Sequence, residues 1–205
     1  MTYDQLASET SIQKTIEALA SHNIVGMLVA DKAAALEKIK ELIPSGASVM
    51  NGSSTTLGQI GYIDYLKSGT HGWNNLHEAI VNEKDPGKQA ELRQQAIHAD
   101  YYLGSVHALS ETGEFIIASN TGSQLPHVVF TSKNLIFVVG AQKIVPNLAE
   151  AFKRLEEHVV PLEDERSKQA YGVGTYPNKI VVFKGEHLKM GRQVKVLIVT
   201  ESLGF

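Results

Sequence analysis

Cysteine is absent from the 205 residues. That single absence removes disulfides, thiolate nucleophiles, iron–sulfur ligation and cysteine-type zinc sites. A basic field is also lacking: the formal net charge is −3, and no Lys/Arg cluster exceeds two residues. Nucleic acid is therefore not an expected partner, and neither is an anionic membrane surface. The longest apolar runs have strand length, far short of the roughly 20 residues that cross a bilayer. The opening residues Met1-Thr2-Tyr3-Asp4-Gln5 show neither a basic nor an apolar segment. No secretory signal is read there, and the cytoplasm is the expected location. Repeats, low-complexity tracts and long linkers are missing too.

What is present suits one globular domain over residues 1–205, with residues 1–22 as an appended N-terminal helix. Hydrophobic residues make up 43% and charged residues 20%, enough to bury a core. Ile12, Ile16 and Leu19 share one helix face, and Asn23 suits the left-handed end of that helix. The run from Ile24 to Ala30 reads as a strand covered on both faces. Asp31 caps a helix striped by Ala35, Leu36, Ile39, Leu42 and Ile43, and Pro44 stops it. A short strand, Ala47 to Met50, follows. Residues 68–85 read as irregular. Asp85-Pro86 opens a helix that runs to about His98. Strands are expected at Asp100–Gly104, Glu114–Ser119, Leu135–Gly140, Ile180–Lys184 and Val194–Thr200, with a helix from Pro146. The stretch holding Arg166, Tyr171 and Asn178 shows no clear period. This alternation predicts an α/β fold: a mixed, mostly parallel sheet with flanking helices and an antiparallel portion near residues 100–140.

Ligands of open α/β sheets bind outside the carboxyl ends of the strands. Asn51-Gly52-Ser53-Ser54-Thr55-Thr56 sits at such an end. Gly52 permits close backbone approach, four hydroxyls offer donors, and a helix start adds free N–H groups, so phosphate or carboxylate is the natural guest. An ordinary cap uses the same residue types, but four hydroxyls in a row exceed what a cap needs. The loop Asn120-Thr121-Gly122-Ser123-Gln124 also follows a strand, and two such loops are able to share one pocket. Glu111, before Gly113 at a strand entrance, is a candidate base or nucleophile, or simply a turn acid. Lys143 follows a buried strand, either to neutralise an anion or as a solvated helix-start lysine. The Tyr171-to-Thr175 segment is either a lid or a plain connection. No Walker lysine, dinucleotide fingerprint, zincin pair or Gly-x-Ser-x-Gly elbow is present. The residues call for no metal and no cofactor.

Taken in order, five segments form a series: Asn51 to Gly61, Ala99 to Gly113, Ala118 to Gln124, Val138 to Pro146 and Val199 to Phe205. Together they resemble the LUD-domain family, the lactate-utilisation proteins of the LutC/YkgG type, from about Gly26 onward. The resemblance implies a fold like ribose-5-phosphate isomerase and the CoA transferases (NagB/RpiA-like). Those relatives bind phosphorylated sugars or acyl-CoA near a loop comparable to 52–56. CoA transferases use a glutamate nucleophile, which directs attention to Glu111 by fold analogy. The implied role is binding of a small anionic metabolite, in a subunit supporting oxidation of lactate to pyruvate. A non-catalytic accessory of iron–sulfur oxidoreductase subunits and a sugar-phosphate or acyl-CoA enzyme are the alternatives, so enzyme status stays open. One departure stands out. Many LUD proteins carry a cysteine cluster where this chain reads Arg166 to Lys179 without one, so cluster-dependent electron transfer by this chain alone is excluded. A homo-oligomer is also open, because Val194–Thr200 suits either a central strand or an interface.

Overall fold

Ser8 starts the first helix by accepting the Ser11 N–H at 3.2 Å, which satisfies one of the unpaired donors of the first turn. The computed structural model describes residues 3–205; Met1 and Thr2, part of the polar opening stretch, lie outside the described residues. Helix α1 (Glu9–Ser21) ends at His22, and Asn23 turns the chain at φ 61° into strand β1 (Val25–Val29). Asp31 caps α2 (Lys32–Leu42) through the Ala34 N–H at 2.8 Å. Strand β2 (Ser48–Asn51) then leads into two short helices, α3 (Thr55–Gln59) and α4 (Tyr62–Lys67). The two-residue strand β3 (Asn74–Asn75), α5 (Leu76–Asn82) and α6 (Pro86–Ala96) follow.

The second half opens with β4 (Tyr101–Gly104), β5 (Ala108–Ser110) and β6 (Phe115–Ser119). A π-helical turn at His127–Thr131 leads to β7 (Asn134–Gly140). After a 3-10 turn at Ala141–Lys143 come β8 (Ile144–Val145) and α7 (Leu148–Arg154). A second π turn, Leu155–Val159, runs directly into α8 (Val160–Tyr171). Pro161 lacks the N–H that would bond the Glu157 carbonyl, and the helix widens just before it. Strands β9 (Lys179–Phe183) and β10 (Gln193–Val199) complete the chain.

Six strands form one parallel sheet in the order β1-β10-β7-β4-β2-β3. Four form a second, mixed sheet in the order β8-β5-β6-β9, where β6 is antiparallel to both neighbours. The alternation along β7 explains how the layers stack. Leu135, Phe137 and Val139 enter the core between the sheets, while Ile136 and Val138 join the core under α2, α3 and α4. Period-two alternation with apolar residues on both faces marks a strand buried on both sides. Phe115 joins the sheets by packing on Phe137 and Phe183, with ring centroids 5.3 and 4.8 Å away. Such aromatic pairs add about 0.5–1.5 kcal/mol each beyond the area they bury. Val194–Val199 lies in a central strand, between β1 and β7.

Four features differ from what the sequence suggested. Strand β1 is an edge, so Val25 and Leu28 are about half exposed instead of covered. Residues 68–85 contain helix α5, capped by Asn75. Residues 160–171 are helical although among them only Ser167 is buried. The N-terminal helix is tightly attached, with Ile12 and Leu19 inside the inter-sheet core. Among the described residues no helix is long and apolar enough to cross a membrane.

Candidate functional site

The parallel strands deliver their carboxyl ends to one side of the molecule, and the chain leaving each of four strands reaches the same cavity of about 470 Å³. Gly52–Thr56 comes from β2, Ser105–His107 from β4, Lys143 from β7 and Gly204-Phe205 from β10. The second sheet adds Asn120, Thr121, Ser123 and Gln124 after β6. The two polar loops therefore meet. Tyr102 Oη donates to Gln124 Oε1 at 3.0 Å, and Gln124 Nε2 donates to the Ala118 carbonyl at 3.2 Å. A Cβ at position 52 would lie 2.8 Å from Tyr102 Oη and 3.1 Å from Gln124 Oε1. Glycine is required there because the loops touch, not because of its backbone angles.

Three of the residues singled out by sequence lie elsewhere. Asn51 is buried behind the wall and donates to the Gly52 carbonyl at 3.1 Å. Gly122, at φ 88°, packs on the Lys179 side chain. Glu111 does not line the cavity. Its carboxylate accepts from Ser11 Oγ and from Lys14 Nζ at 2.9 Å, both on α1. Those bonds hold its pKa below the usual value despite an opposing effect of burial. Glu111 fastens α1 to the second sheet and is remote from the two loops, which corrects the nucleophile reading by geometry.

Lys143 is not a solvated lysine. It is 3% exposed, and Nζ donates to Thr56 Oγ1 and Ser105 Oγ, each at 3.1 Å. Burial, followed by the Arg154 charge, lowers its pKa to about 7. Arg154 is fully buried on α7. It donates to the backbone oxygens of His107 and of Phe205 (the latter at 3.2 Å), and its Nε and Nη2 have no hydrogen-bond partner among the described residues. Burial pushes His107 down to about 4, helped by Lys143 and Arg154. Its Nδ1 accepts the Ala118 N–H at 3.1 Å, so the neutral ring carries its proton on Nε2. Gly204, at φ 66°, completes the floor; a Cβ there would stand 2.3 Å from Thr56 Oγ1 and 2.9 Å from Lys143 Nζ.

Helix α8 and the segment after it form the outer wall. Arg166 makes a two-pronged pair with Glu163 at 2.7 and 2.6 Å, and its guanidinium lies 5.6 Å from the Tyr171 ring centroid. Asp164 Oδ1 accepts the Thr175 N–H at 2.8 Å, and Ser167 Oγ donates to the Val173 carbonyl at 2.8 Å. These bonds shape residues 172–177 over the cavity mouth. The segment 166–179 holds no thiolate, so it does not fit a cysteine-ligated cluster. Tyr102, Ser105, His107, Arg166 and Gly204 were missed by sequence reasoning. Only Gly204, a glycine after a long apolar strand, left a local signal.

The LUD domain family model matches residues 12–199. The chain belongs to the LUD-domain family. No curated protein matches it significantly. A crystal structure of a DUF162 family protein from Deinococcus radiodurans is similar in fold, with 12% sequence identity and a TM-score of 0.54. That likeness covers 95% of this LUD chain and 99% of the other.

Proposed function

We propose that the cavity binds a small anionic metabolite, a carboxylate or a phosphorylated compound, between the 52–56 loop, the 120–124 loop and Lys143. One observation carries this reading: Lys143 is a buried amine whose hydrogen-bond partners among the described residues are neutral hydroxyls, with a second buried cation, Arg154, beside it. Burying uncompensated charge is costly, and an anionic guest in the adjoining cavity would supply the missing counter-charge. Among the described residues the side-chain carboxylate in the lining, Glu163, is already paired with Arg166. Membership of the LUD family favours lactate or pyruvate among such anions and a subunit supporting lactate oxidation. Thermal-shift measurements with lactate, pyruvate, sugar phosphates and CoA esters test the reading. At least one should raise the melting temperature, and Gly52→Val should abolish the rise by blocking the loop junction. No shift with any of the four classes would overturn it.

A second reading is an accessory protein of iron–sulfur oxidoreductase subunits. It is favoured by the exposure of Tyr171, Val173 and Tyr176 around the mouth, each more than 60% exposed. Copurification with such subunits that is lost on Tyr176→Asp would support it.

A further inference from the structure

Lys143 has properties that a purely electrostatic role leaves unused. A neutral primary amine has two N–H bonds and one lone pair. Thr56 Oγ1 and Ser105 Oγ, both 3.1 Å away, accept the two N–H bonds and leave the lone pair as the remaining tetrahedral position. The titratable groups around the amine are Arg154 from α7, His107 after β4 and His158 from the Leu155–Val159 turn; Asp4 and Tyr3, ahead of α1, act on Arg154, and Asp4 also pairs with His158 at 3.5 Å. Among the described residues no carboxylate hydrogen-bonds Nζ, and burial beside Arg154 brings its pKa to about 7. A large share of the amine is then neutral near pH 7, whereas an ordinary lysine is almost wholly protonated. Buried lysines with lowered pKa are the ones that form Schiff bases.

We propose that Lys143 is a carbonyl-reactive amine that forms a reversible Schiff base with a small carbonyl compound bearing an anionic group. The proposal rests on the anion reading above only for that anionic group. In the step, the Nζ lone pair bonds to the carbonyl carbon and the C=O π pair moves to oxygen. The proton lost by nitrogen passes to that oxygen, with Ser105 or Thr56 as the hydroxyl able to relay it. The nitrogen lone pair then forms C=N as the C–O bond breaks, and the second nitrogen proton passes by the same hydroxyl relay to the departing oxygen, which leaves as water. Nothing is oxidised or reduced. The class includes 2-oxo acids and phosphorylated aldehydes.

The test is reductive trapping. The full chain is incubated at neutral pH with sodium cyanoborohydride and either pyruvate or glycolaldehyde phosphate. The expected result is a gain of one probe less one oxygen atom, mapped by peptide mass spectrometry to Lys143 in the wild-type chain. Trapping by one probe alone also supports the proposal and identifies the anionic group. Lys143→Met should lose the adduct, and mapping in the wild type decides the case even if that variant does not fold. No adduct with either probe, or adducts on other lysines with Lys143 unmodified, would overturn the proposal. Lactate separates the two readings because it has the carboxylate but no carbonyl. A lactate shift without trapping sinks the Schiff base alone, and trapping without any anion-induced shift sinks the anion reading alone.

Discussion

Tyr102 Oη would stand 2.8 Å from any Cβ at position 52, and Tyr102 cannot retreat because its ring stacks on His127 at 4.9 Å. Gly52→Ala should therefore destabilise the fold by about 1–3 kcal/mol, as overpacking does. Adding Tyr102→Phe removes the clashing oxygen and should recover most of that loss in a urea midpoint. Lys143 gives the opposite expectation. Its folded pKa of about 7 lies below the ordinary lysine value of about 10.4. The folded state then binds fewer protons than the unfolded one between these values, so stability rises with pH across that window. The burial cost is fully present below pH 7. Lys143→Met should make the ligand-free protein more stable at pH 6, by roughly 1–4 kcal/mol, and the gain should shrink towards pH 10. Equal stability of the two proteins at pH 6 would count against a costly buried charge. Glycine, hydroxyls and a lysine at strand ends were legible in the sequence. The burial of Lys143 was not, because it depends on Gly204 and Thr56, residues more than 60 positions away in the chain.

Helices and strands were legible where packing imposes a period. The stripe on α2 and the alternation on β7 are the marks of faces pressed against a core. Helix α8 left no such mark because it is a wall of the cavity and not a core element. It is held by side-chain pairs three or four residues apart, Glu163 with Arg166 and Asp164 with Lys168. Its neighbour loop depends on Asp164, whose Oδ1 would also sit 2.5 Å from a Cβ at position 174. Asp164→Ala should loosen residues 172–177 while leaving the sheets intact. Hydrogen exchange should show faster exchange at the Thr175 amide, with core amides of β7 and β10 unchanged. Slow exchange at Thr175 in that variant would show that the wall is held by something other than this carboxylate. Strand β1 was misread for a related reason: an apolar run records hydrophobicity but not whether a strand lies at the centre or the edge.

At the scale of the whole molecule, the sheet order brings the ends of β2, β4, β7 and β10 together, and the second sheet closes the side of the cavity with the loop after β6. The order of strands in a sheet is not written in local periodicity, so the meeting of the 52–56 and 120–124 loops, and the separation of Glu111 from both, could only be seen in three dimensions. The family resemblance, by contrast, was carried by motif order along the chain, and the match over residues 12–199 shows it. The central claim is that an anion in this cavity answers the buried charge of Lys143. Calorimetric titration with lactate and with inorganic phosphate at pH 7.5, in two buffers of different ionisation enthalpy, tests it most directly. Because the amine is then partly neutral, binding should take up a fraction of a proton. Lys143→Met should abolish that uptake and weaken binding by about 1.5–3 kcal/mol, roughly ten- to a hundredfold. Binding of unchanged strength in Lys143→Met, or the absence of binding by either anion, would contradict the claim.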